Sequence, residues 1–263
     1  MPGNRCSKSV IQHILSLTVV VASLSALTLS AGCGQDSDAP QSPLTSTARS
    51  TAGSRVPRPT APPGLSLIEL PPPKIDVPPG ADQPIATKYG LTYEIPPDWA
   101  NEYSVVTGWE SDRGEISRYS TAARFGAGYC PEDKFEGLAV AGATGRNGVD
   151  LDTAARDHVH LAERIFASSG ERFKPKVQYV GPTQITVAGR PAVRYTAIVT
   201  DVPKERKCGP PTALFDIVAT PGYATAEVMI LMIELHQGLP GTLDPTVTDR
   251  IIASLRPSEG YGG

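Results

Sequence analysis

The chain has no excess of positive charge: 24 Lys and Arg stand against 27 Asp and Glu among 263 residues, a formal charge of −3. Without a basic stripe the sequence is a poor nucleic-acid binder, and no nucleic acid is expected among its partners. Reactive motifs are missing too. No Gly-x-Ser-x-Gly elbow, no His-Glu-x-x-His and no Cys-x-x-Cys occurs. Their absence removes the usual sequence signs of a serine hydrolase, a zinc protease and a thioredoxin-like redox site. No internal period repeats, which excludes a solenoid. Long apolar runs are confined to one place, the N-terminus.

That place carries the clearest signal. Arg5 and Lys8 precede an apolar run in which Gln12 and His13 are the only strongly polar residues from Val10 to Leu29. Residues 14–29 match a signal h-region in length and are short for a spanning helix. Positive charge ahead of the run orients the N-terminus inward. The run ends in Leu29-Ser-Ala-Gly-Cys33, which resembles the lipobox of bacterial lipoproteins. That resemblance implies removal of residues 1–32 and acylation of Cys33 on the outer side of the cytoplasmic membrane. An uncleaved anchor and a freely secreted product are the alternatives, and all three place the domain outside the cytoplasm. Removing residues 1–32 takes away Arg5 and Lys8 and no acid, so −3 becomes −5. Membrane contact is therefore expected from the acyl chains rather than from charge.

From residue 33 to 86 prolines crowd the chain (Pro57, Pro59, Pro62, Pro63, Pro71, Pro72, Pro73) amid Ser, Thr and Ala. Such a segment buries too little apolar surface to offset chain entropy, so it reads as a disordered tether. Residues 65–70, Leu-Ser-Leu-Ile-Glu-Leu, are its one apolar interruption. They are read as unbound linker, with docking or a partner motif as the other options. Residues 87–257 have the size of one globular domain, and 258–263 form a tail.

Within the domain, residues 91–95 alternate and stop at Pro96-Pro97, an opening strand. Residues 103–109 and 117–125 read as a strand pair turning at 112–114. Further strands are expected at 177–180, 183–187, 192–200, 213–219 and 224–235. The last is apolar on both faces, the mark of a central strand covered on both sides. Residues 152–170 carry apolar residues at helical spacing. Asp244-Pro245 launches a C-terminal helix that Pro257 stops. The glycine-rich residues 142–148 are expected to form a mobile loop, with a binding loop as the other reading. The fold class is α+β, an antiparallel sheet sandwich with an internal amphipathic helix and a closing C-terminal helix.

The order Leu91-Thr-Tyr-Glu-Ile-Pro-Pro-Asp-Trp99, Val106-Thr-Gly-Trp109, Gly128-Tyr-Cys130, a long helix, Lys204-Glu-Arg-Lys-Cys208 and Ile251-Ile-Ala-Ser-Leu-Arg256 resembles an uncharacterised actinobacterial family. Its members carry this domain outside the membrane behind a lipobox or membrane helix and a Pro/Ser/Thr-rich tether. The Tyr-x-Ile-Pro-x-x-Trp opening and the terminal helix are also similar to the Mog1/PsbP-like sandwich of some mycobacterial lipoproteins. Neither resemblance brings an activity with it.

With Cys6 in the signal and Cys33 lipidated, Cys130 and Cys208 remain, and in an oxidising compartment they are expected to pair. A redox role is the alternative, kept open by the nearby cations Lys204, Arg206 and Lys207. His158 and His160 lie on opposite sides of a helix and are read as solvated rather than as metal ligands. His236 is taken for a strand-end residue. Trp99 reads as a core-edge anchor, and Trp109 as packing, with a ligand groove as its second reading. Residues 204–207 form a charged loop, either solvated or a contact for an acidic partner. No metal or other cofactor is expected.

Three functions compete. A non-catalytic envelope interaction module leads, partnered by the membrane through Cys33 and by an unidentified envelope protein or glycan. A binder of a small apolar ligand, lipid or glycan follows, then an envelope hydrolase built from scattered residues.

Overall fold

A computed structural model describes residues 12–13, 60–205 and 207–260. Cys33, most of the tether and Arg206 lie outside the described residues. The first strands are β1 (Gln12–His13), β2 (Gln83–Ala86), β3 (Leu91–Ile95) and β4 (Ala100–Glu102). Then come β5 (Val105–Ser111), β6 (Gly114–Phe125) and β7 (Ala139–Arg146), followed by helices α1 (Leu151–Val159) and α2 (Ala162–Ile165) and a 3₁₀ turn, Ser169–Glu171. A long run of strands follows, β8 (Lys176–Val187), β9 (Arg190–Thr200), β10 (Thr212–Pro221) and β11 (Val228–Gln237). Helix α3 (Thr246–Ala253) and the short β12 (Arg256–Pro257) close the chain.

The main sheet is antiparallel in the order β1-β5-β6-β7-β11-β10-β9-β8, with β4 on β6, and a three-stranded sheet runs β12-β3-β2. This is an open, sandwich-like α+β fold. Strand β11 sits between β7 and β10, and its alternation serves two cores. Met229, Leu231, Ile233 and Leu235 meet the small sheet and α3, together with Leu91, Ile95, Trp99 and Ile251. Val228, Ile230 and Met232 meet the α1 side, with Ala155, Val159, Phe166 and Phe215. The expected central strand, covered on both faces, is this one.

Four expectations are corrected. Residues 142–146 are not loop but part of β7, paired with β6 and β11. Their small side chains are required by close neighbours. A Cβ on Gly142 would lie 2.9 Å from Cβ of Tyr119, and one on Gly145 would lie 2.5 Å from the Tyr89 ring. The folded region also begins before residue 87. Strand β2 pairs with β3 and buries Ile85 at 1% exposure, so residues 83–86 belong to the domain rather than to the tether.

The apolar patch at 65–70 is docked rather than unbound. Thr225 donates its N–H to the Ser66 carbonyl at 2.7 Å, and its Oγ1 accepts from Ile68 N at 3.0 Å. Thr225 holds a left-handed φ of 64°, an uncommon conformation for a β-branched residue. Finally, the expected single helix breaks at His160 and Leu161 into α1 and α2. Its N-cap is Asp150, which accepts from Thr153 N.

Helix α3 starts one residue later than the sequence implies, with Pro245 at its N-cap and Asp244 just ahead of it. Asp244 accepts from Thr246 N at 2.9 Å and from its hydroxyl at 2.7 Å. Arg194 ties this helix to the sheet, donating to Asp216 at 2.8 Å and to Asp249 at 2.6 Å. Burial raises the Asp216 pKa, and the Arg194 guanidinium opposes that shift. Among the described residues no helix is long and apolar enough to cross a membrane.

Candidate functional site

The residues singled out from the sequence converge in part on one end of the sheet. Cys130 follows β6 and Cys208 lies between β9 and β10, and the two form a disulfide with Cα atoms 5.5 Å apart. It links residues 78 positions apart, across the α1–α2 region. The preceding Tyr129 packs edge-on against His236, with ring centroids 6.2 Å apart.

A chain of polar contacts runs inward from this crosslink. The Tyr129 hydroxyl donates to the Cys208 carbonyl at 3.0 Å and lies 3.2 Å from His236 Nδ1. His236 Nε2 lies 2.8 Å from Glu234 Oε1. Glu234 and His236 are 4% and 6% exposed. As i and i+2 residues of β11 they share the α1 face, paired with Phe215 and Ala213. The sequence reading placed His236 at a strand end and overlooked Glu234, although the period of two puts both on one face.

Glu234 Oε2 is buried without a hydrogen-bond partner among the described residues. The arrangement fixes the crosslinked loops to β11. Neither Glu234 nor His236 is open to a substrate.

A second buried histidine overturns an expectation. His158 is not solvated: it is 9% exposed, and its Nδ1 lies 2.9 Å from the Tyr119 hydroxyl. Burial, then the charge of Arg146, pushes its pKa down to about 4. At neutral pH the imidazole is uncharged. The signal was present in the helix: His158 stands four residues after Ala154 and three after Ala155, both buried.

Trp109 lies edge-on to Tyr119 and Phe215 at 6.1 and 6.2 Å, which is packing. The hollow beside it, about 10 Å³, is the size of one water. A larger open hollow of about 330 Å³ lies under residues 74–81 beside Gln83, Pro97 and Trp99, not between sheet and helix. Lys204 and Lys207 are exposed on the crosslinked loop. Among the described residues no group of three or more His, Cys, Asp or Glu is arranged to hold a metal ion.

A family model described as a domain of unknown function, DUF8017, matches residues 75–260. The chain belongs to the DUF8017 family. The match starts ahead of β2, in keeping with a DUF8017 domain that includes residues 83–86. No curated protein matches the chain. Among solved structures, it is similar to a crystal structure from Bacteroides thetaiotaomicron at 7% identity and a TM-score of 0.30. That match covers 65% of this chain and 46% of the other, so the DUF8017 chain spans less than half of that structure's length. A likeness at this level carries no argument about function.

Proposed function

We propose that this protein is a lipid-anchored component of the cell envelope whose DUF8017 domain is a non-catalytic interaction module. The observation that carries the module reading is the sealing of the polar cluster. Glu234, His236 and His158 are each at most 9% exposed and bond to neighbouring side chains. An enzyme needs such groups within reach of a substrate. The anchor reading rests on the basic start, the apolar run and the small residues before Cys33. The likeness to actinobacterial lipoproteins and to Mog1/PsbP-like sandwiches belongs to the same proposal and rests on the sequence spacing described above.

Mass spectrometry of the protein from a membrane fraction tests the anchor. The expected N-terminus is an acylated Cys33, and Cys33→Ser releases the protein from the membrane fraction or leaves it unprocessed. An intact Met1 or an unmodified Cys33 in the native protein overturns it. For the module, His236→Asn in a folded, exported protein should leave the cellular phenotype of the wild type intact. A loss of that phenotype with stability unchanged would instead make His236 a working residue.

A further inference from the structure

We propose that the loop end of the sheet, at residues 172–176, 204–205 and 207, is a docking surface for an anionic polysaccharide. This deepens the interaction-module reading by naming the partner's chemistry. Two loops meet there. The Ser169 N–H and hydroxyl donate to the two carboxylate oxygens of Glu205 at 2.6 and 2.7 Å, clipping the turn after α2 to the loop after β9. Lys176 pairs with Asp201 at 2.8 Å across the same junction. Ser168 closes the first loop, accepting from Phe173 N through its hydroxyl at 2.8 Å and donating its own N–H to the Phe173 carbonyl at 2.9 Å.

The clips leave the charges unbalanced. Three acids on these loops are already engaged: Glu205 by Ser169, Asp201 by Lys176, and Glu171 by Arg113 and Arg164. Asp112 stands at the rim, against Gly170. Arg172, Lys174, Lys204 and Lys207 are exposed, and among the described residues none has a carboxylate at ion-pair distance. Between the first two stands Phe173, 64% exposed. A chain with a formal charge of −3 thus presents exposed cations and an exposed ring on these two joined loops.

The chemistry of this corner selects the partner. Protein interfaces are depleted in lysine and centre on buried apolar contacts, and this surface offers lysines and a single ring. Spaced, flexible cations suit a repeating anion, whose counterions they release, while an exposed ring stacks on a sugar face. The fold gives a reason to prefer a polysaccharide over a bilayer. The incoming chain is clasped at Thr225, in the β10–β11 hairpin, while the cations lie at the opposite end of β10. A ten-residue antiparallel strand separates the two by roughly 30 Å.

The test uses the mature, disulfide-intact protein with three probes: heparin-agarose, soluble polygalacturonate, and vesicles of phosphatidylcholine with 30% phosphatidylglycerol. Retention on heparin at about 50 mM salt and binding to polygalacturonate are expected, with log affinity falling linearly in log salt. Lys204→Glu with Lys207→Glu should weaken both at least tenfold, and adding Arg172→Glu and Lys174→Glu should abolish them. Phe173→Ala should weaken polygalacturonate binding about threefold, and Lys74→Glu, away from this corner, should change nothing. Matched melting curves show that the variants are folded. No binding at low salt, binding indifferent to Lys204 and Lys207, or tighter binding to the vesicles than to polygalacturonate would each overturn the proposal. None of these outcomes bears on acylation of Cys33, so the anchor reading stands or falls separately.

Discussion

The two ends of the main sheet are held by different means. At the β10–β11 hairpin, Thr225 grips the incoming chain through neutral hydrogen bonds to Ser66 and Ile68, and its hydroxyl also donates to the Lys88 carbonyl at 2.7 Å. At the other end, the Cys130–Cys208 disulfide and the Tyr129–His236–Glu234 chain hold loops that have few backbone pairings. Small neutral contacts suffice where strands already lie alongside. A covalent bond and buried polar groups are used where two loops must be fixed without a sheet. The crosslinked end is tied at its base by the disulfide and bears exposed cations at its rim.

This contrast can be broken first at the disulfide. Cys130→Ser, with Cys208→Ser to avoid a lone thiol, opens a loop of 78 residues. The chain-entropy relation puts the loss at about 4.5 kcal/mol, to be read from denaturant unfolding under non-reducing conditions. A double variant as stable as the parent would show that the crosslink has no structural role.

Glu234→Leu comes next. It leaves the buried His236 Nε2 without its acceptor, at a cost of about 3 kcal/mol. The loss should fall mainly on hydrogen-exchange protection of the crosslinked loops, sparing the hairpin end.

His158 sharpens the comparison through pH. Its pKa is pushed down to about 4 in the folded state from an ordinary 6.5. The unfolded chain therefore binds the extra proton first as pH falls. Its stabilising contribution is complete above about pH 6.5 and is lost between 6.5 and 4, by at most about 1.4 kcal/mol per pH unit. Urea unfolding of the parent and of His158→Gln should converge as pH drops through this window. Parallel curves would remove His158 from the acid response.

Thr225→Ala is the mildest change, about 1 kcal/mol or less. Its expected signature is faster exchange in residues 65–70 with the core unaffected. Protection unchanged there would show that the clasp does not depend on the hydroxyl.

How much of this was legible in the sequence follows from what each signal depends on. Strand β11 could be read because residues 228–233 are apolar on both alternating faces, and burial on both sides is the physical cause of that pattern. Strand β7 was hidden because its Ala and Gly are small to admit Tyr119 and Tyr89, and small residues carry no apolar period. The docked patch at 65–70 was hidden because composition reports on local chain entropy. Its partner, Thr225, is 157 residues from Ile68. The disulfide was legible by elimination among four cysteines. Glu234 was obscured by the apolar run around it, and the clip of Glu205 to Ser169 was hidden because it joins residues 36 positions apart.

Hydrogen exchange on the mature protein, with and without polygalacturonate, tests most directly whether the two ends do different work. The account predicts added protection in peptides covering residues 168–176 and 201–210, with residues 60–70 and 221–228 unchanged. Protection gained at the hairpin end, or equally at both ends, would contradict it.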